Sequence, residues 1–84
     1  MDKSSLKPND YVYKPVDFRV SVWLYKIRLD RQLESGDWTG CYHWGHSTRV
    51  EQSEISHITA TRHSPNIIKY SKGEWLLAKA EPQP

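Results

Sequence analysis

Apolar residues alternate on both faces of "DFRVSVWLYKIRLD", residues 17–30. Phe18, Val20, Val22 and Leu24 share one parity, and Trp23, Tyr25, Ile27 and Leu29 the other. β-branched and aromatic residues dominate the stretch, which predicts a strand rather than a helix. Apolar residues on both faces fit a central strand, or a long one that bends and serves two packing surfaces. Lys26, Arg28 and Asp30 continue the Phe18 parity, so that face turns to solvent halfway along.

Weaker patterns follow. "LESGDW" (33–38) predicts a turn, with Gly36 supplying a positive φ. "DWTGCYHWG" (37–45) predicts the return strand, with Trp38, Gly40, Tyr42 and Trp44 on one parity. A glycine inside such a run signals a bulge or a close backbone approach. Residues 45–54 predict a loop with at most one helical turn, opened by Thr48 and Glu51 in capping-box spacing. Three further strands are expected: 54–63, 67–71 after the Ser64-Pro65-Asn66 turn, and 74–80 after Lys72-Gly73. Helix is the rival assignment for 74–80, because Leu76, Leu77, Ala78 and Lys79 favour it.

The expected fold class is therefore all-β or β-rich α+β. It is a small, strongly bent antiparallel sheet of about five strands, barrel- or sandwich-like. One domain at 11–80 is expected, flanked by an N-terminal arm at 1–10 and the tail "EPQP" at 81–84. The expected core includes Val20, Val22, Trp23, Leu24, Ile27, Ile58 and Leu76.

Composition narrows the function classes. The 84 residues include four Trp, five Tyr and one Phe, so a few large rings can replace many aliphatics. The formal net charge is +2, too small to announce nucleic acid by itself. Its excess lies in residues 1–30, with six Lys/Arg against four Asp. The single Cys41 excludes an internal disulfide and fits a reducing compartment. The longest apolar run, Val22–Tyr25, is far shorter than the roughly 20 residues of a membrane span. The start "MDKSSLKPND" has no apolar stretch after its charges. A cytoplasmic protein that does not enter the membrane is expected.

"GCYHWGHS" (40–47) holds the densest candidate chemistry. On a strand Cys41 and His43 point the same way, about 7 Å apart, near enough to share a zinc ion. His46 and His57 are the further zinc candidates. The spacing matches no standard finger and there is no second Cys, so a structural stretch without metal is the expectation. Cys41 with His43 as nucleophile and base lacks an orienting acid and an oxyanion donor. His57, Arg62 and His63 with Glu51 or Glu54 would suit a small ribonuclease-like toxin, the lesser alternative.

Binding is the stronger class. Trp, Tyr and Arg dominate interface hot spots. The expected site is Trp38, Tyr42 and Trp44, with the row Lys26, Arg28 and Arg31 beside them and Trp75 as the next place to look. The expectation is a non-catalytic, cofactor-free protein acting through a protein–protein interface as adaptor, regulator or inhibitor, with self-association included. The alternative is a nucleic-acid-binding module that stacks bases on aromatic rings beside the Lys/Arg row.

Overall fold

A computed structural model describes residues 6–80. The far end of the expected arm, 1–5, and the tail 81–84 lie outside the described residues. Five strands form one antiparallel sheet that does not close into a barrel: β1 (Tyr11–Phe18), β2 (Ser21–Gln32), β3 (Trp38–Tyr42), β4 (Ser47–Val50) and β5 (Ile67–Ser71). A 3-10 turn (Gln52–Glu54) follows β4, and a helix α1 (Lys72–Ala80) follows β5.

The hub is β2. On one side it pairs with β1 along its whole length. On the other side it pairs with β5 over Ser21–Tyr25 and with β3 over Ile27–Gln32. Its two faces bury different halves. Val22 and Leu24 join Tyr13, Ala60 and Trp75 in one core, beneath α1. Ile27 and Leu29 join Leu6, Val12, Trp38, Val50 and Ile55 in a second core on the opposite face. This is the double-sided strand expected from the alternation.

The sheet curls around the second core until its edges approach. Lys14 of β1 donates from Nζ to the Arg49 carbonyl of β4 at 3.3 Å. Ser56 N–H adds one backbone bond to Tyr13 O on the edge of β1, at 3.1 Å. Part of the expected arm belongs to this core as well. Leu6 is buried, and Asn9 and Asp10 exchange backbone bonds with Leu29.

Several expected elements are corrected. Residues 17–30 are not one strand, because Arg19 and Val20 form the β1–β2 turn. The turn places Phe18 opposite Ser21, on the face of Trp23 rather than of Val22. It also leaves Val20 82% exposed instead of in the core. Residues 47–50, expected as loop, form β4 against β3. Residues 54–63, expected as a strand, are the end of the 3-10 turn and an irregular loop. Here Thr61 and Ser64 tie the backbone locally: Thr61 N–H donates to Ser64 Oγ at 2.9 Å. Such side-chain bonds compete with a strand ladder.

Residues 74–80 belong to α1, not to a strand. Ser71 and Glu74 close a capping box: Glu74 N–H donates to Ser71 Oγ at 3.2 Å and Ser71 N–H to Glu74 Oε1 at 3.1 Å. The two bonds satisfy otherwise orphaned donors at the helix start. Trp75 is buried and Ala78, one turn on, half-buried, while Leu76 and Leu77 face outward. Leu76 is therefore not core. Trp23 and Ile58, also expected there, are half-buried.

Candidate functional site

The uncovered face of β2 beside β5 carries an aromatic row. Trp23 and Tyr25 point away from the helix-covered core because Val22 and Leu24 point into it. The β1–β2 turn adds Phe18 at one end, its ring centroid 5.4 Å from that of Trp23. Trp23 and Tyr25 follow at 6.4 Å. At the other end the last residue of β3, Tyr42, and Trp44 in the turn after it each lie 5.7 Å from Tyr25. Those two stack parallel at 4.3 Å, and His43 meets Trp44 edge-on at 4.9 Å.

Register with β5 places Ile67 beside Tyr25 and Lys69 beside Trp23 on this face. The Lys69 ammonium lies 5.6 Å from the centroid of the Trp23 ring, a cation–π contact. Phe18 and Trp44 are each about half exposed, at 47% and 49%. Tyr25 and Tyr42 also pack against the second core, so rigid buried structure supports the middle of the row. Among the described residues no carboxylate pairs with Lys69.

The expected binding residues divide. Tyr42 and Trp44 belong to the row. Trp38 does not: it is 2% exposed within the second core, because β3 curls that end inward against Val50. Lys26 and Arg28 lie on the opposite face of β2 from Trp23 and Tyr25, so the basic row does not flank the rings. Lys26 is itself buried, its ammonium donating to the carbonyls of Arg62 at 3.0 Å and Ser64 at 2.8 Å. Arg31 is exposed and follows a register shift in the β2–β3 pairing. Trp75 is core, stacked with His57 at 6.4 Å.

Phe18, Trp23, Tyr25, Ile67 and Lys69 are site residues that sequence reasoning did not assign. The parity opposition of Trp23 and Tyr25 to Val22 and Leu24 carried half of that signal. The remainder needed the β1–β2 turn, which places Phe18, and the pairing of β5 with β2, which places Ile67 and Lys69.

On the Lys26 face a cleft of about 370 Å3 lies near the junction between the part of β2 paired with β5 and the part paired with β3. Tyr11, Lys26, Arg28, Cys41, His43 and Asn66 line it, with the 42–45 turn. The Cys41 thiol donates to Asp30 at 3.4 Å, and Arg28 approaches Asp30 at 3.8 Å. The zinc candidates Cys41, His43, His46 and His57 do not converge: among the described residues no group of three or more His, Cys, Asp or Glu could hold a metal ion.

The ribonuclease candidates are scattered in role. Glu54 caps its own 3-10 turn, with Glu51 N–H donating to Oε1 at 2.9 Å. His57 lies on Trp75, and Arg62 and His63 sit exposed in a surface turn. A second groove of about 300 Å3 runs between the 3-10 turn and α1, past His57, Trp75 and Lys79.

Two carboxylates are held below their usual range. For Asp37 the leading cause is the hydrogen bond from Arg49, at 2.7 Å, followed by one from the Gln52 backbone N–H. For Glu74 it is hydrogen bonding to Ser71. Burial pushes the Tyr13 phenol up, and its hydroxyl donates to Pro65 O at 2.6 Å. All three brace turns or packing, and none belongs to the aromatic row. Among the described residues, no helix is long and apolar enough to cross a membrane. No known protein family matches the chain, and neither a curated protein nor a solved structure is similar to it.

Proposed function

We propose that this is a non-catalytic binding protein that docks a protein partner on the aromatic row, as an adaptor, regulator or inhibitor. One observation carries it. Five rings, Phe18, Trp23, Tyr25, Tyr42 and Trp44, form a continuous row on a sheet face that no other element among the described residues covers. Contiguous exposed apolar surface of this kind marks interaction sites on small proteins. Rings held by their neighbours and by the core beneath lose little rotamer freedom on binding, which favours affinity. Trp and Tyr are also the commonest hot-spot residues.

A second reading keeps single-stranded nucleic acid as the occupant. Lys69 over Trp23 favours it, since a cation beside stacked rings is how base-stacking surfaces are built.

The test is co-purification from the host with wild-type and Trp44→Ala baits, with and without nuclease. The expected result is a protein that survives nuclease and is lost with Trp44→Ala. Affinity should fall by about 30-fold or more, the size of a hot-spot truncation. Trp44→Ala should melt with the wild type, because the ring is half exposed. Binding that vanishes with nuclease and falls steeply with salt would transfer the site to nucleic acid. Retention of every partner by Trp44→Ala would remove the row as the interface.

A further inference from the structure

We infer that the cleft on the Lys26 face is an oxyanion site, taking the carboxylate or phosphate group of a small organic ligand. It lies on the face of β2 opposite Trp23 and Tyr25 and stands independently of the aromatic row.

Lys26 is the first reason. It is 8% exposed, and a buried cation is costly unless its charge is compensated. Among the described residues it has no carboxylate partner. Its compensation is two carbonyls and the face of the Tyr11 ring, 5.2 Å from the ammonium to the centroid. An ammonium has three donors, and two are used. Neutral carbonyls and a ring leave the charge itself unneutralised.

The other walls supply the second reason. Arg28 follows Lys26 on the same strand face, about 7 Å along. It is half exposed and reaches Asp30 only at 3.8 Å, outside hydrogen-bond distance. The ion pair leaves its planar fork unfixed by any hydrogen bond to the described residues, and such a fork suits bidentate capture of an oxyanion. The Tyr11 hydroxyl and the Asn66 carboxamide make no hydrogen bond with the described residues, and both line the cleft. Among the described residues no acid lines the cleft, and Asp30 is the carboxylate that contacts two of its lining residues, Arg28 and Cys41. Its Oδ2 accepts from the Cys41 thiol, so two cations face one carboxylate and the balance stays positive. The volume falls at the low end of the roughly 300–1,000 Å3 of small-molecule sites. It exceeds the anionic group alone and leaves room for a ligand body against Tyr11.

The competing explanation is that Lys26 only staples the 62–64 loop to β2, and the test separates the two through Arg28. The full chain is titrated separately with sodium phosphate and sodium acetate at constant ionic strength held by sodium chloride, following backbone amides by NMR. The expected result is a saturable shift centred on Lys26, Arg28, Cys41, Gly45 and Asn66 with at least one anion. Arg28→Gln, at an exposed position, should keep the wild-type melting temperature and weaken the titration by about fivefold or more. Arg31→Gln should leave it unchanged. The tighter of the two anions identifies the group as phosphate or carboxylate. No saturable shift with either anion, or the same titration in Arg28→Gln as in wild type, would overturn the proposal and leave Lys26 as a staple.

Discussion

Gly40→Ala tests the placement of β3, and with it the position of Tyr42 and Trp44. Gly40 lies opposite Leu29 in the β2–β3 register. A Cβ there would stand 2.5 Å from Ile27 Cγ2 and 2.6 Å from the Arg28 carbonyl oxygen. Ordinary van der Waals contact starts near 3.4 Å, so both neighbours would have to yield nearly 1 Å. The Ile27 methyl belongs to a residue with no exposure, and the Arg28 oxygen is backbone in the central strand. Neither can swing away. Inserting one methyl into such a contact costs roughly 1–3 kcal/mol, and the backbone contact puts Gly40→Ala at the upper end. For a domain of this size about 2–3 kcal/mol lowers the melting temperature by roughly 10–20 °C. Thermal and urea unfolding followed by Trp fluorescence give the value. Gly45→Ala is the control, because its Cβ would meet nothing within 4 Å. There the cost is only that of a left-handed residue at φ 94°, about 1–2 kcal/mol. If Gly40→Ala melted with the wild type, β3 could not lie against β2 in this register, and the Tyr42–Trp44 end of the row would be misplaced.

Other outcomes follow from burial, backbone conformation and charge. Leu24→Ala should cost roughly 2–5 kcal/mol by urea unfolding, whereas Val20→Ala, at a turn tip 82% exposed, should change stability by less than about 0.5 kcal/mol. Arg19 holds φ at 53° in the β1–β2 turn, so Arg19→Gly should raise the melting temperature slightly, the relief of about 1–2 kcal/mol being partly offset by glycine's greater unfolded-state entropy. Asp37 and Glu74 both have depressed carboxyl pKa values. Their contribution is therefore present above the usual carboxylate range near pH 4 and is lost as pH falls through the lower folded values. Asp37→Asn should flatten that acid limb in a pH series of melting temperatures, and an unchanged limb would count against the Arg49 contact. Ser71→Ala should cost about 1 kcal/mol through loss of the α1 cap, seen as earlier loss of helical circular dichroism.

Several features were legible because they depend on neighbours in sequence. The two-sided alternation of Val22, Leu24, Ile27 and Leu29 reports strand period directly, and it announced a strand with two packing surfaces. Gly36 marked its turn and Gly40 its close contact, since only glycine meets those local demands. The Ser71–Glu74 capping box is equally local, but the sequence reading follows the Lys72-Gly73 hairpin signal in its place, and in the structure the box prevails. The β1–β2 turn hid because Arg19 and Val20 are not turn residues and Val20 extends the apolar parity of Val22. Tertiary pairing imposes a positive φ on Arg19 that no residue type there advertises.

The candidate site divides the same way. That the chain holds more aromatic surface than one core encloses follows from counting and alternation alone. Which rings are core depends on contacts distant in sequence. Curling of the sheet buries Trp38 under Val50, and α1 carries Trp75 inward. Meanwhile β5 returns some 45 residues after β2 to set Lys69 beside Trp23. A side chain's parity fixes which face of a strand it occupies, and that is a property of the sequence. Whether the face is covered is decided by where the other strands and the helix pack, because burial belongs to the assembled surfaces and to no single segment.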